Sequence, residues 1–170
     1  MVTLRCTQKL LRRVSEQPNV SPPRPTTLLG DWYANILFSK PQQLVVFVSE
    51  RTLLPVMVPL KESHTVPGRL AAAVRDVLKA LGVAPNLAER EYTEMQQFCY
   101  GRTENKRVLG SLNEFMFELT YIIHHRPNEP LLDRSLFLAR SPSKPIGYNS
   151  PDRATLQLFG TGGADVHAIH

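Results

Sequence analysis

The order of the hydrophobic patterns constrains the fold of this 170-residue chain more than any single motif does. Most of the segments typical of β-strands lie in the first third of the chain, and most of the amphipathic helical segments lie in the rest. The run Leu44–Val48 is continuously apolar and rich in β-branched residues, which favours a buried central strand. Strands followed by helices indicate the α+β class. We therefore predict an antiparallel β-meander with several helices packed on one face, in a single domain.

Three of the expected strands follow one another closely and are separated by short polar turns, as in a meander. Pro55 lacks a backbone N–H group, so the third of these strands should be an edge strand or carry a bulge. The predicted strands are Asp31–Phe38, Leu44–Val48 and Leu53–Val58, with two further short strands at Val2–Thr7 and Gln96–Tyr100.

Helical periodicity is clearest in Gly68–Leu81, where Leu70, Val74 and Val77 fall on one face and Gly82 supplies a stop. Capping residues predict where the other helices begin. These helices are Gln8–Val14 after Thr7, a weaker helix from Asn86 to about Met95, Leu112–His124 started by the Ser111/Glu114 capping box, Glu129–Ala139 after Asn128, and a short helix from Ser150-Pro151 to about Phe159.

The domain is expected to span residues 1–159. Residues 17–29 carry several prolines and are predicted to be an arm within the domain that returns to the sheet. Residues 160–170 hold three glycines and little to bury, so a flexible tail is predicted there.

Positive charge is concentrated at one end of the chain. The net charge is +5, but residues 1–30 hold five basic residues and one acidic residue, and the remaining 140 residues hold fifteen basic and fourteen acidic ones. A basic segment can recruit phosphate groups through counterion release, and it can equally be a solvated surface that keeps the protein soluble. Charge alone therefore leaves the partner unknown.

Composition and cysteine content suggest a protein of the cytoplasm. No purely apolar run is longer than Leu44–Val48, far short of the ~20 residues that a membrane helix needs, so no membrane partner is expected. Cys6 and Cys99 lie far apart, and we predict two buried, reduced thiols. The oligomeric state stays open.

No familiar catalytic signature or metal motif is present, so the sequence leans away from an enzyme and predicts no catalytic residue, no metal and no cofactor. His167 and His170 have a spacing that suits metal binding but lie in the predicted tail with too few other ligands. His124 and His125 are interpreted as favourable charges at a helix end.

Two polar and aromatic segments remain as candidate binding residues. In the first, a strand would place Trp32 and Ala34 on one face and Asp31, Tyr33 and Asn35 on the other. The second lies before and in a predicted helix N-terminus, which suits anions because its N–H groups are free. For each segment the structural interpretation, a packed core or a self-bonded loop, stands beside the functional one. The candidate residues for ligand or anion binding are Trp32, Tyr33, Asn35, Arg51, Arg102, Asn105, Lys106, Arg107, Ser111 and Asn113.

Several stretches, in order along about residues 1–160, resemble a small bacterial family of stand-alone domains of unknown function. They include Val2–Leu11, Asp31–Leu37, Val46–Val56 and Val108–Asn113. The resemblance implies a bacterial, intracellular, single-domain protein and supplies no catalytic residues. The family pattern has Asn-Arg-Ser where this chain has Asn105-Lys106-Arg107, so Lys106 offers a point charge in place of a guanidinium fork.

Three functional hypotheses follow. The first is a non-enzymatic binding or regulatory module that engages an anionic partner, including nucleic acid, through Tyr33, Asn35 and the basic loop. The second is an enzyme with a non-standard polar site formed by Asp31, Asn35, Arg51 and Asn105. The third is an interaction protein that docks a partner through the edge strand that contains Pro55.

Overall fold

A computed structural model describes residues 1–40 and 42–160 of the chain. Its strands are β1 (Val2–Cys6), β2 (Trp32–Leu37), β3 (Leu44–Ser49), β4 (Pro55–Pro59) and β5 (Phe98–Arg102). These five strands form one mixed sheet in the order β4-β3-β2-β1-β5. The first strand in the sequence therefore lies between β2 and β5, and β4 lies at an edge, as Pro55 predicted.

The sheet is mixed, so the prediction of a purely antiparallel sheet is wrong. The strands β2, β3 and β4 do form the expected antiparallel meander. However, β1 runs parallel to both of its neighbours, with Leu4 opposite Trp32 on one side and Tyr100 on the other. A helix and the proline-rich arm carry the chain from the end of β1 back to the starting edge of the sheet, which makes β2 parallel to β1.

Six α-helices and two short 3₁₀ turns (Ser63–Thr65 and Lys144–Ile146) complete the described part of the chain. The helix predicted from the Leu70 periodicity is confirmed with nearly the expected bounds. The helices are α1 (Gln8–Val14), α2 (Val66–Leu81), α3 (Pro85–Glu94), α4 (Lys106–His125), α5 (Leu131–Leu138) and α6 (Pro151–Leu158). Among these residues, no helix combines the length and the apolar character needed to cross a membrane.

Helices cover both faces of the sheet, which corrects the prediction of helices on one face. Leu4 and Trp32 pack with residues of α1, α2 and α3 on one face. On the other face, Tyr33 and Val46 pack against α4 through Leu112 and its neighbours. The strands β2 and β3 are apolar on both faces because each face has a helical cover.

Several helix starts differ from the predictions. The second strong helix begins at Lys106, because Asn105 and not Ser111 accepts the free amides of the first turn. Ser111 is buried inside α4, so the capping box predicted there is wrong. Two other predicted caps are also wrong, since α3 starts after Ala84 and α5 after Pro130. Ser150 does precede the last helix, as predicted.

The proline-rich arm is held by hydrogen bonds near both of its ends, to the sheet at one and to α3 at the other. The backbone amide of Asn19 donates to the carbonyl of Tyr100 at 2.7 Å. Further along, the buried carboxylate of Glu91 accepts the amides of Leu28 and Leu29 at 2.8 and 3.0 Å. The arm therefore packs on the strands and on α3. The predicted tail, including His167 and His170, lies outside the described residues apart from Gly160.

Candidate functional site at the carboxyl edge of the parallel strands

The parallel strands β1 and β5 are neighbours, and their carboxyl ends meet at one edge of the sheet. After β1 the chain enters α1, which packs on one face, whereas after β5 it enters α4, which packs on the other. The chain thus leaves two adjacent strands toward opposite faces. In open sheets, this divergence opens a crevice in which ligands commonly bind.

A cavity of about 550 Å³ lies at this edge, beside α1. Cys6 at the end of β1 and Arg102 at the end of β5 contribute to its wall, and Gln8, Leu11 and Arg12 line it from α1. The start of the proline-rich arm closes another side. The volume lies within the ~300–1,000 Å³ that is usual for small-molecule sites. The remaining lining residues are Ser15, Glu16, Gln17, Pro18 and Thr103.

The polar groups of the cavity favour an anion that also carries a hydrogen-bond donor. Arg12 and Arg102 supply two guanidinium groups, which bind phosphate or carboxylate in a bidentate manner. Glu16 adds one negative charge, and a donor on the ligand would offset that charge. Gln8 and Thr103 add neutral polar groups. The charged side chains of the lining carry a net charge of +1.

Cys6 does not supply a nucleophile to this cavity. The side chain is buried, and burial raises the pKa of its thiol to about 12. A thiol with this pKa stays protonated at neutral pH, and only the thiolate is strongly nucleophilic. The prediction of a reduced, buried thiol fits Cys6, whereas Cys99 is free but only half-buried.

Behind the cavity, on the α4 face, an ion pair joins β1 to the start of β2. The buried carboxylate of Asp31 accepts the Thr3 amide and the Nε of Arg5, both at 3.0 Å. The Arg5 guanidinium also donates to the carbonyl of Arg102 at 3.1 Å and lies 3.5 Å from Glu104. Burial opposes the charge of Arg5, but the hydrogen bond and the charge of Asp31 outweigh it, so the Arg5 pKa is raised.

The two candidate segments from the sequence do come together in space. The backbone amide of Asn105 donates to the phenolic oxygen of Tyr33 at 2.9 Å. Arg5 adds a second connection, because it binds both the carboxylate of Asp31 and the carbonyl of Arg102. The strand faces were predicted correctly, with Trp32 and Ala34 in one core cluster and Tyr33 in the other.

Most predicted residues of the first segment are occupied by internal contacts. Trp32 is fully buried, and its indole nitrogen has no partner among the described residues. The side-chain oxygen of Asn35 accepts the Thr7 hydroxyl at 2.7 Å and the Ile36 amide at 2.8 Å. Arg51 donates to backbone carbonyls of the arm, at 2.9 Å in the case of Leu28. These contacts stabilise the fold.

The residues of the second segment divide into three groups. Arg102 lines the cavity, and Asn105 caps α4 by accepting the amides of Arg107 and Val108 at 2.9 and 3.3 Å. The side chains of Lys106 and Arg107 are exposed on the first turn of α4. Further along the same helix, Ser111 is buried and Asn113 is exposed. Among the candidates from the sequence, only Arg102 lies in the cavity.

The polar residues of the enzyme hypothesis do not converge. Asp31, Asn35, Arg51 and Asn105 each bind different partners, and in the described chain no hydrogen bond joins two of them. The same described residues contain no group of three or more histidine, cysteine or acidic side chains placed to hold a metal ion.

Two features, one of the cavity and one of the fold, could not be predicted from the sequence. Arg12 was counted only as part of the basic first segment, because its place in the same cavity as Arg102 depends on the parallel pairing of β1 with β5. Glu91 gave no signal at all, since its amide partners Leu28 and Leu29 are far away in the sequence. The i, i+4 spacing of Gln8 and Arg12 was the one available sign of a shared polar face on α1.

Comparison with known proteins gives one match. Neither the curated proteins nor the solved structures contain a significant match to this chain. A family profile described as a domain of unknown function, DUF6933, matches residues 3–154. Because this match covers most of the 170 residues, the chain belongs to the DUF6933 family, which agrees with the resemblance that its motifs indicated.

Proposed function

We propose that this chain is a non-enzymatic binding module that takes a small anionic ligand in the cavity at the carboxyl edge of β1 and β5. The observation that carries the proposal is that Arg12 and Arg102, from different parts of the chain, line one cavity of about 550 Å³. Two guanidinium groups on one polar cavity favour a phosphate or carboxylate group.

The cavity also favours a particular kind of anion. Glu16 would repel a compact ion such as inorganic phosphate, but it would accept a hydrogen bond from a ligand hydroxyl or amine. Gln8 and Thr103 bind either kind of group. A small phosphorylated or carboxylated metabolite that carries hydroxyl or amino groups therefore fits better than a bare ion.

Isothermal titration calorimetry tests this proposal with inorganic phosphate, glycerol phosphate and adenosine monophosphate as probes. We expect the organic phosphates to bind more tightly than inorganic phosphate. Arg12→Ala and Arg102→Ala should each weaken binding at least about 10-fold, because each removes a charge-assisted contact. Arg13→Ala is the matched control, since Arg13 is an exposed residue of the same helix and does not line the cavity.

Two results would overturn the proposal. The first is the absence of binding for all three probes at low salt. The second is an equal loss of affinity in Arg12→Ala and Arg13→Ala, which would indicate diffuse attraction to the basic surface and no site. Glu16→Gln gives a further check, because removing its charge should tighten the binding of inorganic phosphate.

Nucleic acid is the larger anion that the sequence suggested, and an electrophoretic mobility assay at two salt concentrations separates it from a small ligand. Binding of DNA or RNA that falls steeply with salt and changes equally in Arg12→Ala and Arg13→Ala would favour the basic surface. We also propose that the protein acts in the bacterial cytoplasm. Fractionation of the native bacterium with an antibody against the chain tests this location.

A further inference from the structure

An aromatic patch is exposed on the outer side of α4. Phe117 is 81% exposed and Tyr121 is 65% exposed, and the two lie one helical turn apart. Together with Phe137 of α5 they line a shallow apolar groove of about 610 Å³. Large aromatic side chains that share one exposed groove are typical of an interaction surface.

The fold of the single chain does not need these aromatic side chains. The opposite side of α4 already supplies the contacts to the sheet, through Leu112, Phe115 and Leu119. Within the described chain, the outer side of α4 is covered by no other element at Phe117 and Tyr121. These two aromatic side chains are therefore accessible to a binding partner.

The charges along α4 indicate what covers the patch. Glu114 lies about one turn before Phe117, Glu118 lies directly after it, and His124 and His125 follow Tyr121 toward the helix end. Neither acidic residue forms a salt bridge with any part of the chain that the structure describes. The aromatic pair therefore lies between the unpaired carboxylate of Glu114 and the imidazole of His124.

We propose that a second copy of this chain binds this patch, with the two α4 helices antiparallel about a two-fold axis midway between Phe117 and Tyr121. Such an axis places Phe117 of one copy opposite Tyr121 of the other, and Glu114 opposite His124. Aromatic side chains then meet aromatic side chains, and the carboxylate of Glu114 meets the imidazole of His124. The patch is complementary to itself in this arrangement, which favours a second copy over an unrelated partner.

Sedimentation velocity of the full chain tests the proposal. The wild-type protein should sediment as a dimer at high micromolar concentration. Phe117→Asp should raise the dimer dissociation constant at least about 10-fold, because a charge would enter the apolar centre of the interface. Tyr148→Asp is the control, since Tyr148 is also exposed but lies outside the groove. Circular dichroism should show the same helix content in both variants, because both side chains are exposed.

A charge exchange tests the antiparallel register. Glu114→Lys alone should weaken the dimer, because the new lysine would lose the attraction to His124. The double variant Glu114→Lys with His124→Glu should restore dimer affinity. The two-fold axis places the new lysine of each copy opposite the new glutamate of the other, at two equivalent positions. A wild-type monomer at high micromolar concentration, or equal dissociation constants in Phe117→Asp and Tyr148→Asp, would overturn the proposal. A double variant no tighter than Glu114→Lys would overturn the register.

Discussion

The phenolic oxygen of Tyr33 accepts a 2.9 Å hydrogen bond from the backbone amide of Asn105, the residue that caps α4. Tyr33 belongs to β2 and is buried, so this bond fixes the start of α4 against the middle of the sheet. The amide precedes the first turn of α4 and has no partner in the helix itself. One hydroxyl group therefore joins the start of the longest helix of the described chain to the sheet.

Tyr33→Phe should lower the free energy of unfolding by about 1 kcal/mol, because it removes this hydrogen bond and leaves the half-buried amide unpaired. Urea denaturation measures the change. Tyr148→Phe is the control, because Tyr148 is exposed and its hydroxyl has no partner among the described residues. Equal stability of the two variants would contradict the role assigned to Tyr33.

Asn105→Ala should destabilise the protein by about 1 kcal/mol, which is typical for the loss of a helix N-cap. The side chain of Asn105 accepts the amides of Arg107 and Val108, and alanine cannot replace it. Asn113→Ala removes the same side chain from an exposed position within the same helix and should leave stability nearly unchanged. Thermal denaturation of both variants distinguishes a cap at Asn105 from the cap at Ser111 that the sequence suggested.

The helices were easier to predict than the arrangement of the sheet. The periodicity of Leu70, Val74 and Val77 requires only local information, and it located α2 to within two residues. The prediction that α4 begins at Leu112 missed its first residues, which start at Lys106. Val108 lies four residues before Leu112 and continues its apolar face, but Gly110 and the nearby basic residues obscured this helical periodicity. Strand order depends on contacts between distant segments of the chain, and no local sequence pattern indicates that β1 pairs with β5.

Asp31→Asn should cost about 2 kcal/mol of stability, because it leaves the largely buried guanidinium of Arg5 without its charged partner. Asparagine keeps an oxygen that can accept the Thr3 amide, so the loss of stability reports on the ion pair with Arg5 alone. Asp76→Asn is the matched control, since Asp76 is 60% exposed and lies near Arg75 on the surface. Guanidinium chloride is unsuitable because it screens charges, so urea should be used.

The contribution of Glu91 to the free energy of unfolding should fall as the pH rises above about 4.5. Burial raises the pKa of this carboxyl group above the ordinary value of 4.5, and it outweighs the two amide hydrogen bonds and the charge of Arg51. The folded state therefore holds the proton more tightly than the unfolded state. Its contribution is greatest below pH 4.5 and is lost as the pH rises through the raised pKa.

The measurement compares wild type with Glu91→Gln by urea denaturation between pH 4 and pH 8. As the pH rises, the unfolding free energy of Glu91→Gln should increase relative to that of the wild type. Glu89→Gln is the control with the opposite sign. A hydrogen bond and charge from Lys79 lower the Glu89 pKa, so its contribution is lost as the pH falls. A pH-independent difference for Glu91→Gln would contradict the raised pKa.

The lining of the candidate cavity was only partly predictable because, like the strand order, it depends on contacts between distant segments of the chain. Arg102 was identified because the basic loop and a helix start are adjacent in the sequence. Arg12 lines the same cavity as Arg102 only because β1 and β5 pair in parallel. Asn35 and Arg51 were candidate binding residues because they are polar and lie in or beside apolar segments. The structure shows that each one binds backbone or side-chain groups of the fold.

The interior position of β1, between β2 and β5, has a consequence for how the protein is made on the ribosome. Val2 is synthesised well before its partner Phe98, which emerges only after most of the sheet and three α-helices have been produced. Until then, one side of β1 presents unpaired backbone groups that can join another nascent chain. Folding that depends on such distant pairing is slow. We therefore expect chaperone capacity, more than the finished protein's stability, to limit its soluble yield.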